Sequence, residues 1–172
     1  MTLEAKVSIS TAIFAVLLSL NSIFGGNADN NAIIAQAETT NLWAYFQSKS
    51  TKQGIQEAQL RQLELDKIKE AHKGDAAYLQ KLDSTLAYTR QQIERYEKEK
   101  NEIKQQAEAK QTEANAQNQS GDVYDLAEGF YQVSLVLGAL VLVAQLEKLW
   151  VFSVLFGLGG SAITVLNYLG FL

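Results

Sequence analysis

Histidine, cysteine, serine and the carboxylates are the side chains from which a catalytic or metal site is built, and here they are scarce or scattered. The 172 residues contain one His, His72, and no Cys. That excludes disulfides, thiolate nucleophiles and multi-histidine metal sites, and leaves little acid–base capacity near neutral pH. His72 sits beside Lys73 and Gly74, where a turn is expected, so a solvated side chain accounts for it better than a ligand role. Glu97, Glu99 and Glu102 spread around a helical pattern rather than converging on one point. Gly157-Leu158-Gly159-Gly160 lies in an apolar run, not at the strand-to-helix turn that a phosphate-binding loop requires. No catalytic residue, cofactor or metal is expected, and the chain reads as a non-enzyme. A net charge of −4 speaks against nucleic acid as a partner.

What the sequence does space regularly is small residues. Thr11, Ala15 and Ser19 recur every four residues, as do Ser153, Gly157 and Ser161. Such stripes let transmembrane helices approach closely. Asn21, Gln132 and Asn167 are the strongest polar groups nearby and are expected to hydrogen-bond across helices. All of them lie within or beside three runs without charge, 7–24, 129–146 and 149–172. A helix crosses the hydrocarbon core with ~20 apolar residues, so transmembrane helices are expected at about 6–25, 128–146 and 149–171. Glu147 and Lys148 would form the tight connection between the last two. The chain has no Pro, the residue that most often ends or kinks a helix. The first run could instead be a cleavable signal peptide with its site at Ala35-Gln36-Ala37. The distance to that site is long for such a peptide, and a retained anchor is the expectation.

Between the apolar runs the chain is rich in Gln, Glu, Lys and Ala, good helix formers. Gly74 suits a helix C-terminus and Asp75 the cap of the next helix. Leu79, Leu86 and Ile93 recur at seven residues, with Leu82, Thr89, Tyr96 and Ile103 as the companion seam. Reversal near Gly74 would bring Ile55 opposite Ile93, Tyr45 opposite Ile103, Leu63 near Leu86, Leu65 near Leu82 and Ile68 near Leu79. The pattern therefore predicts a long antiparallel helical hairpin. Lys100 and Lys110 fall on seam positions and should loosen it. Ala107, Ala114 and Ala116 on one arm, with Ala35, Ala37 and Ala44 on the other, predict close approach near the membrane.

Trp43, Tyr45 and Phe46 are large aromatics on a charged helix, and the expectation is contact between arms, between subunits or with a partner. Asn27, Asp29 and Asn30 follow Gly25-Gly26 and read as caps where the first membrane helix gives way to the arm. The stretch Gly26-Asn27-Ala28-Asp29-Asn30-Asn31-Ala32-Ile33-Ile34-Ala35-Gln36-Ala37-Glu38, followed by Trp43-Ala44-Tyr45-Phe46-Gln47-Ser48-Lys49-Ser50-Thr51-Lys52, resembles the bacterial domain of unknown function 4337 family of membrane proteins. The layout of a leading membrane helix, a charged helical middle and a closing membrane pair is similar too. The family's longer charged N-terminal extension is nearly absent here, and its basic final loop is reduced to Lys148. The resemblance implies a bacterial membrane protein without an assigned activity.

The expected fold class is thus an all-α membrane protein with three transmembrane helices and a long, coiled-coil-like hairpin projecting from the membrane. Its parts would be 1–26, the hairpin 27–125 turning near Gly74, and the pair 126–172. The expected role is a self-associating scaffold in contact with membrane lipids. An oligomeric pore, or an accessory subunit of a larger membrane complex, is the alternative. Lys6 and Lys148 favour a cytoplasmic N-terminus and 146–148 connection, with the hairpin outside the cytoplasm, in a bacterial inner membrane.

Overall fold

The computed structural model describes residues 2–70 and 75–172, all of them helical or in short connections, with no strand among them. The described residues form three helices: α1 (Leu3–Glu70, 68 residues), α2 (Ala76–Ala144, 69 residues) and α3 (Glu147–Tyr168, 22 residues). Each contains a segment long and apolar enough to cross a membrane. The turn expected at Gly74, with His72 and Lys73, lies outside the described residues. Asp75 does cap α2, since its carboxylate accepts the backbone N–H groups of Ala77 and Tyr78, both at 3.1 Å.

One expected boundary is absent. Gly25 to Asn30 lies inside α1 without interruption, and Gly121 likewise lies inside α2. The glycines serve packing instead. A β-carbon on Gly25 would lie 3.2 Å from that of Tyr124, and one on Gly121 would strike the Asp29 carboxylate. The helices continue because their buried face continues. On α1 the protected positions recur every seven residues, as Val7, Phe14, Asn21, Ala28 and Ala35, and then as Leu42, Lys49, Gln56 and Leu63.

By contacts the chain divides into two compact units, residues 1–35 with 113–172, and residues 36–112. The first unit packs three helical segments around Phe14, Asn21, Ala127, Tyr131, Ser134 and Ser153, all buried. Its outer surface carries Ile9, Ile13, Val136, Leu140, Leu155 and Val165, each about half exposed or more. The connection between α2 and α3 is Gln145-Leu146, so Glu147 and Lys148 belong to the first turn of α3 rather than to the loop. The reversal is made by Gln145, whose φ of 53° is left-handed and more usual for Gly. Glu147 there reaches Lys6 at 3.4 Å, and an acid in a first turn also suits the helix dipole.

In the second unit, four ion pairs set direction: Glu38–Lys110 at 2.9 Å, Lys49–Glu99 at 2.6 Å, Glu64–Arg90 at 2.8 Å, and Lys67–Asp83. Numbers rise along α1 as they fall along α2, so the paired segments run antiparallel. On α2 the inward face is the expected one: Leu82, Leu86, Thr89 and Ile103 are buried, and Leu79, Ile93 and Tyr96 half-buried. On α1 the expected face is wrong in part. Leu63 is inside, but Tyr45, Ile55, Leu65 and Ile68 are exposed. Their places are taken by Phe46, Lys49, Gln53, Gln56 and Leu60. The phase of a rigid helix is common to its whole length, and Leu42, Phe46, Leu60 and Leu63 outweigh an apolar residue displaced by one position. Among the alanines, Ala35, Ala107 and Ala114 are buried, whereas Ala37, Ala44 and Ala116 face outward.

Candidate functional site

Two arrangements concentrate the polar chemistry. In the first unit, small and amide side chains knit the apolar helices together. Asn21 is fully buried; its amide donates to the Tyr124 carbonyl at 2.9 Å, and its oxygen accepts the Thr164 hydroxyl at 2.7 Å. Asn167 donates to the Ser120 carbonyl at 2.9 Å. Both therefore bond across helices, as expected from their type. Gln132 does not, because its amide donates to Glu128 on its own helix.

The stripe Ser153, Gly157 and Ser161 is used within the chain. Ser134 and Ser153 exchange hydroxyl-to-carbonyl bonds, with Ser134 donating at 2.7 Å and Ser153 at 2.8 Å. Gly157 lies flush against the Phe14 ring, onto which any β-carbon would intrude. Ser161 accepts the Tyr131 hydroxyl at 3.2 Å. The companion stripe is split: Thr11 is half-buried beside Gly138, while Ala15 and Ser19 are exposed. Phe14, Tyr124 and Tyr131, which fill this interior, were not distinguishable in sequence from membrane-facing aromatics.

In the second unit, the three aromatics singled out by sequence have different surroundings. Phe46 faces inward and meets Trp43 edge-on at 5.5 Å between ring centroids. Tyr45 is exposed, with the Lys49 ammonium 5.1 Å from its ring. Lys49 also lies 5.6 Å from Tyr96, and Lys100 5.7 Å from Phe46. These are distances at which ring faces attract cations. Two lysines thus enter one stretch of the seam, and carboxylates neutralise both. Lys49 pairs with Glu99, and Lys100 with Glu97 at 3.1 Å and with the side-chain amide oxygen of Gln53 at 2.8 Å.

The pairing shifts protonation in matching directions. The bond to Glu99, then that to Tyr45, raises the Lys49 pKa above its ordinary value. The Lys49 bond holds the Glu99 carboxyl below its ordinary value, and Gln53, followed by Lys100, does so for Glu97. Lys100 was legible as a seam lysine. Lys49 was not, though its place in the recurrence of Leu42, Gln56 and Leu63 was available in the spacing.

Among the described residues no three of His, Cys, Asp and Glu converge as metal ligands would. Both polar arrangements bind helices to helices. Comparison with known proteins adds no activity, since no curated protein and no solved structure matches the chain. The family described as Domain of unknown function (DUF4337) matches over residues 3–170, so nearly the whole chain is its domain, and the protein belongs to that family.

Proposed function

We propose that this is an integral membrane protein that acts as a self-associating scaffold rather than as an enzyme. The observation that carries the reading is the inverted polarity of the first unit. Over the uncharged runs 7–24, 129–146 and 149–172 most of its exposed residues are apolar, Ile9, Ile13, Val136, Leu140, Leu155 and Val165 among them, while Asn21, Ser134, Ser153 and Asn167 are buried. Water penalises such an apolar exterior, whereas lipid solvates it and leaves interior polar groups to bond with one another. The residues 36–112, where charges concentrate, are a helical hairpin outside the membrane. It is the part through which copies or partners meet, with Trp43, Tyr45 and Phe46 at or near those contacts. Lys6 and Glu147 lie at one end of the first unit, which we assign to the cytoplasmic side of a bacterial inner membrane.

An oligomeric pore is the second reading, favoured by the buried hydroxyls of Ser134 and Ser153. Purified protein reconstituted into planar bilayers separates the two. A scaffold gives no reproducible unitary current, and a regular conductance would replace this reading with the pore. Constant co-purification of foreign chains at fixed stoichiometry would instead favour an accessory subunit.

A further inference from the structure

Within the second unit α1 carries two faces of the same seven-residue period. One is the seam against α2. The other comprises Ala37, Ala44, Thr51, Ala58 and Leu65, all exposed. Asn41, Ser48, Ile55 and Gln62 alternate with them at spacings of three and four, and are exposed as well. No charge enters this second face from Ala37 to Leu65, although charged residues flank it. The outward faces of α2 have no counterpart, since Asp83, Arg90, Glu97 and Lys104 follow one another at seven residues on one, and Lys98 interrupts the next. A lone antiparallel pair has no use for a second neutral heptad face. A helix with two such faces is the inner helix of a larger bundle.

We propose that this face of α1 is a homotypic interface, covered by the same face of α1 in a second copy of the chain. The inference rests on the membrane reading above, which inserts all copies in one direction and makes the two α1 helices parallel. About a twofold axis each residue then meets its own counterpart. Small residues at the central layers, Ala44, Thr51 and Ala58, allow the backbones to approach closely.

The flanking charges fit this occupant. In a parallel pair, the residue before one heptad's first seam position faces the residue five further along on the neighbour. That sets Arg61 of each copy against Asp66 of the other, twice by symmetry. The other flanking pairs, Thr40 with Tyr45, Gln47 with Lys52 and Gly54 with Gln59, bring no like charges together. A shallow groove of about 340 Å³ between Glu38, Asn41, Leu42 and Tyr45 adds room for a neighbour's side chain at the edge of this face.

The chain has no cysteine, so single-cysteine variants can map the contact in the full-length protein in membranes. Ala44→Cys, Thr51→Cys and Ala58→Cys should form covalent dimers under mild oxidation. They should do so several times faster than Gln91→Cys and Gln105→Cys on the exposed side of α2. Arg61→Asp should slow the Thr51→Cys reaction, and adding Asp66→Arg should restore it, which a local loss of helix structure would not do. If the solubilised particle is oligomeric but the α2 positions react as fast, or the α1 positions fail to react, the interface is wrong and self-association stands. A monomeric particle overturns both.

Discussion

At Gly157 a single hydrogen in place of a side chain decides how closely α3 meets α1, because the Phe14 ring occupies the space a β-carbon would need. Gly157→Val should destabilise the first unit by about 1–3 kcal/mol, the usual cost of overpacking, read as a lower melting temperature in detergent. Gly157→Val with Phe14→Leu should recover part of that loss. Gln145 presents the opposite case, a residue with a side chain in a left-handed conformation that costs roughly 1–2 kcal/mol outside Gly. Gln145→Gly should raise the melting temperature, and a fall would mean that the Gln side chain contributes more than its strain costs.

The carboxylates of the lysine layer give a pH dependence with a definite sign. Folding lowers the pKa of Glu97 and Glu99 from 4.5, so their contribution is present above that value and lost as pH falls below it. Lys49 is raised from 10.5, so its contribution is present below that value and lost as pH rises above it. Amide exchange around residues 46–53 and 96–103 should therefore be slow across the neutral range and accelerate at both extremes. Equal protection at pH 3 and pH 7 would mean that the pairs contribute nothing.

At the scale of the helices, polar residues within a seam trade stability for register. Lys49 and Lys100 keep a preferred alignment only where Glu97, Glu99 and Gln53 can meet them, the use best attested for buried polar groups in coiled coils. Lys49→Leu with Lys100→Leu should raise the thermal stability of the second unit. It should also broaden the set of cross-links formed between cysteines placed on α1 and α2, as alternative registers become populated.

The same layer explains what was readable beforehand. On α2 the seam is marked by Leu82, Leu86 and Ile103, and spacing alone located it. On α1, Lys, Gln and Thr occupy inward positions while Ile55, Leu65 and Ile68 lie outside, so hydrophobicity pointed to a face displaced by one residue. Gly25, Gly26 and Asn27 look like a helix end in any local reading. Only the tertiary contact of Gly25 with Tyr124 shows that the glycine is there for closeness. The small-residue stripe on α3 was legible as packing, but not that Phe14 and Ser134 of the same chain would fill it.

For the whole molecule, the proposed self-association draws on other residues than the small-residue stripes. Ser153, Gly157 and Ser161 are occupied within the chain. The neutral face of α1 between Ala37 and Leu65, with exposed Tyr45 beside it, is the surface that a second copy would cover. In the proposed membrane setting, lipid would cover the apolar exterior of the first unit without a second protein.

Whether the protein is a membrane scaffold built from copies of itself is decided by the mass of the particle extracted in a mild, non-denaturing detergent. That mass is measured by light scattering with the detergent contribution subtracted. A single species is expected at a whole-number multiple of the chain mass, two or greater, unchanged on moderate dilution. A particle with the mass of one chain, or release of the protein from membranes by alkaline carbonate without detergent, would contradict it.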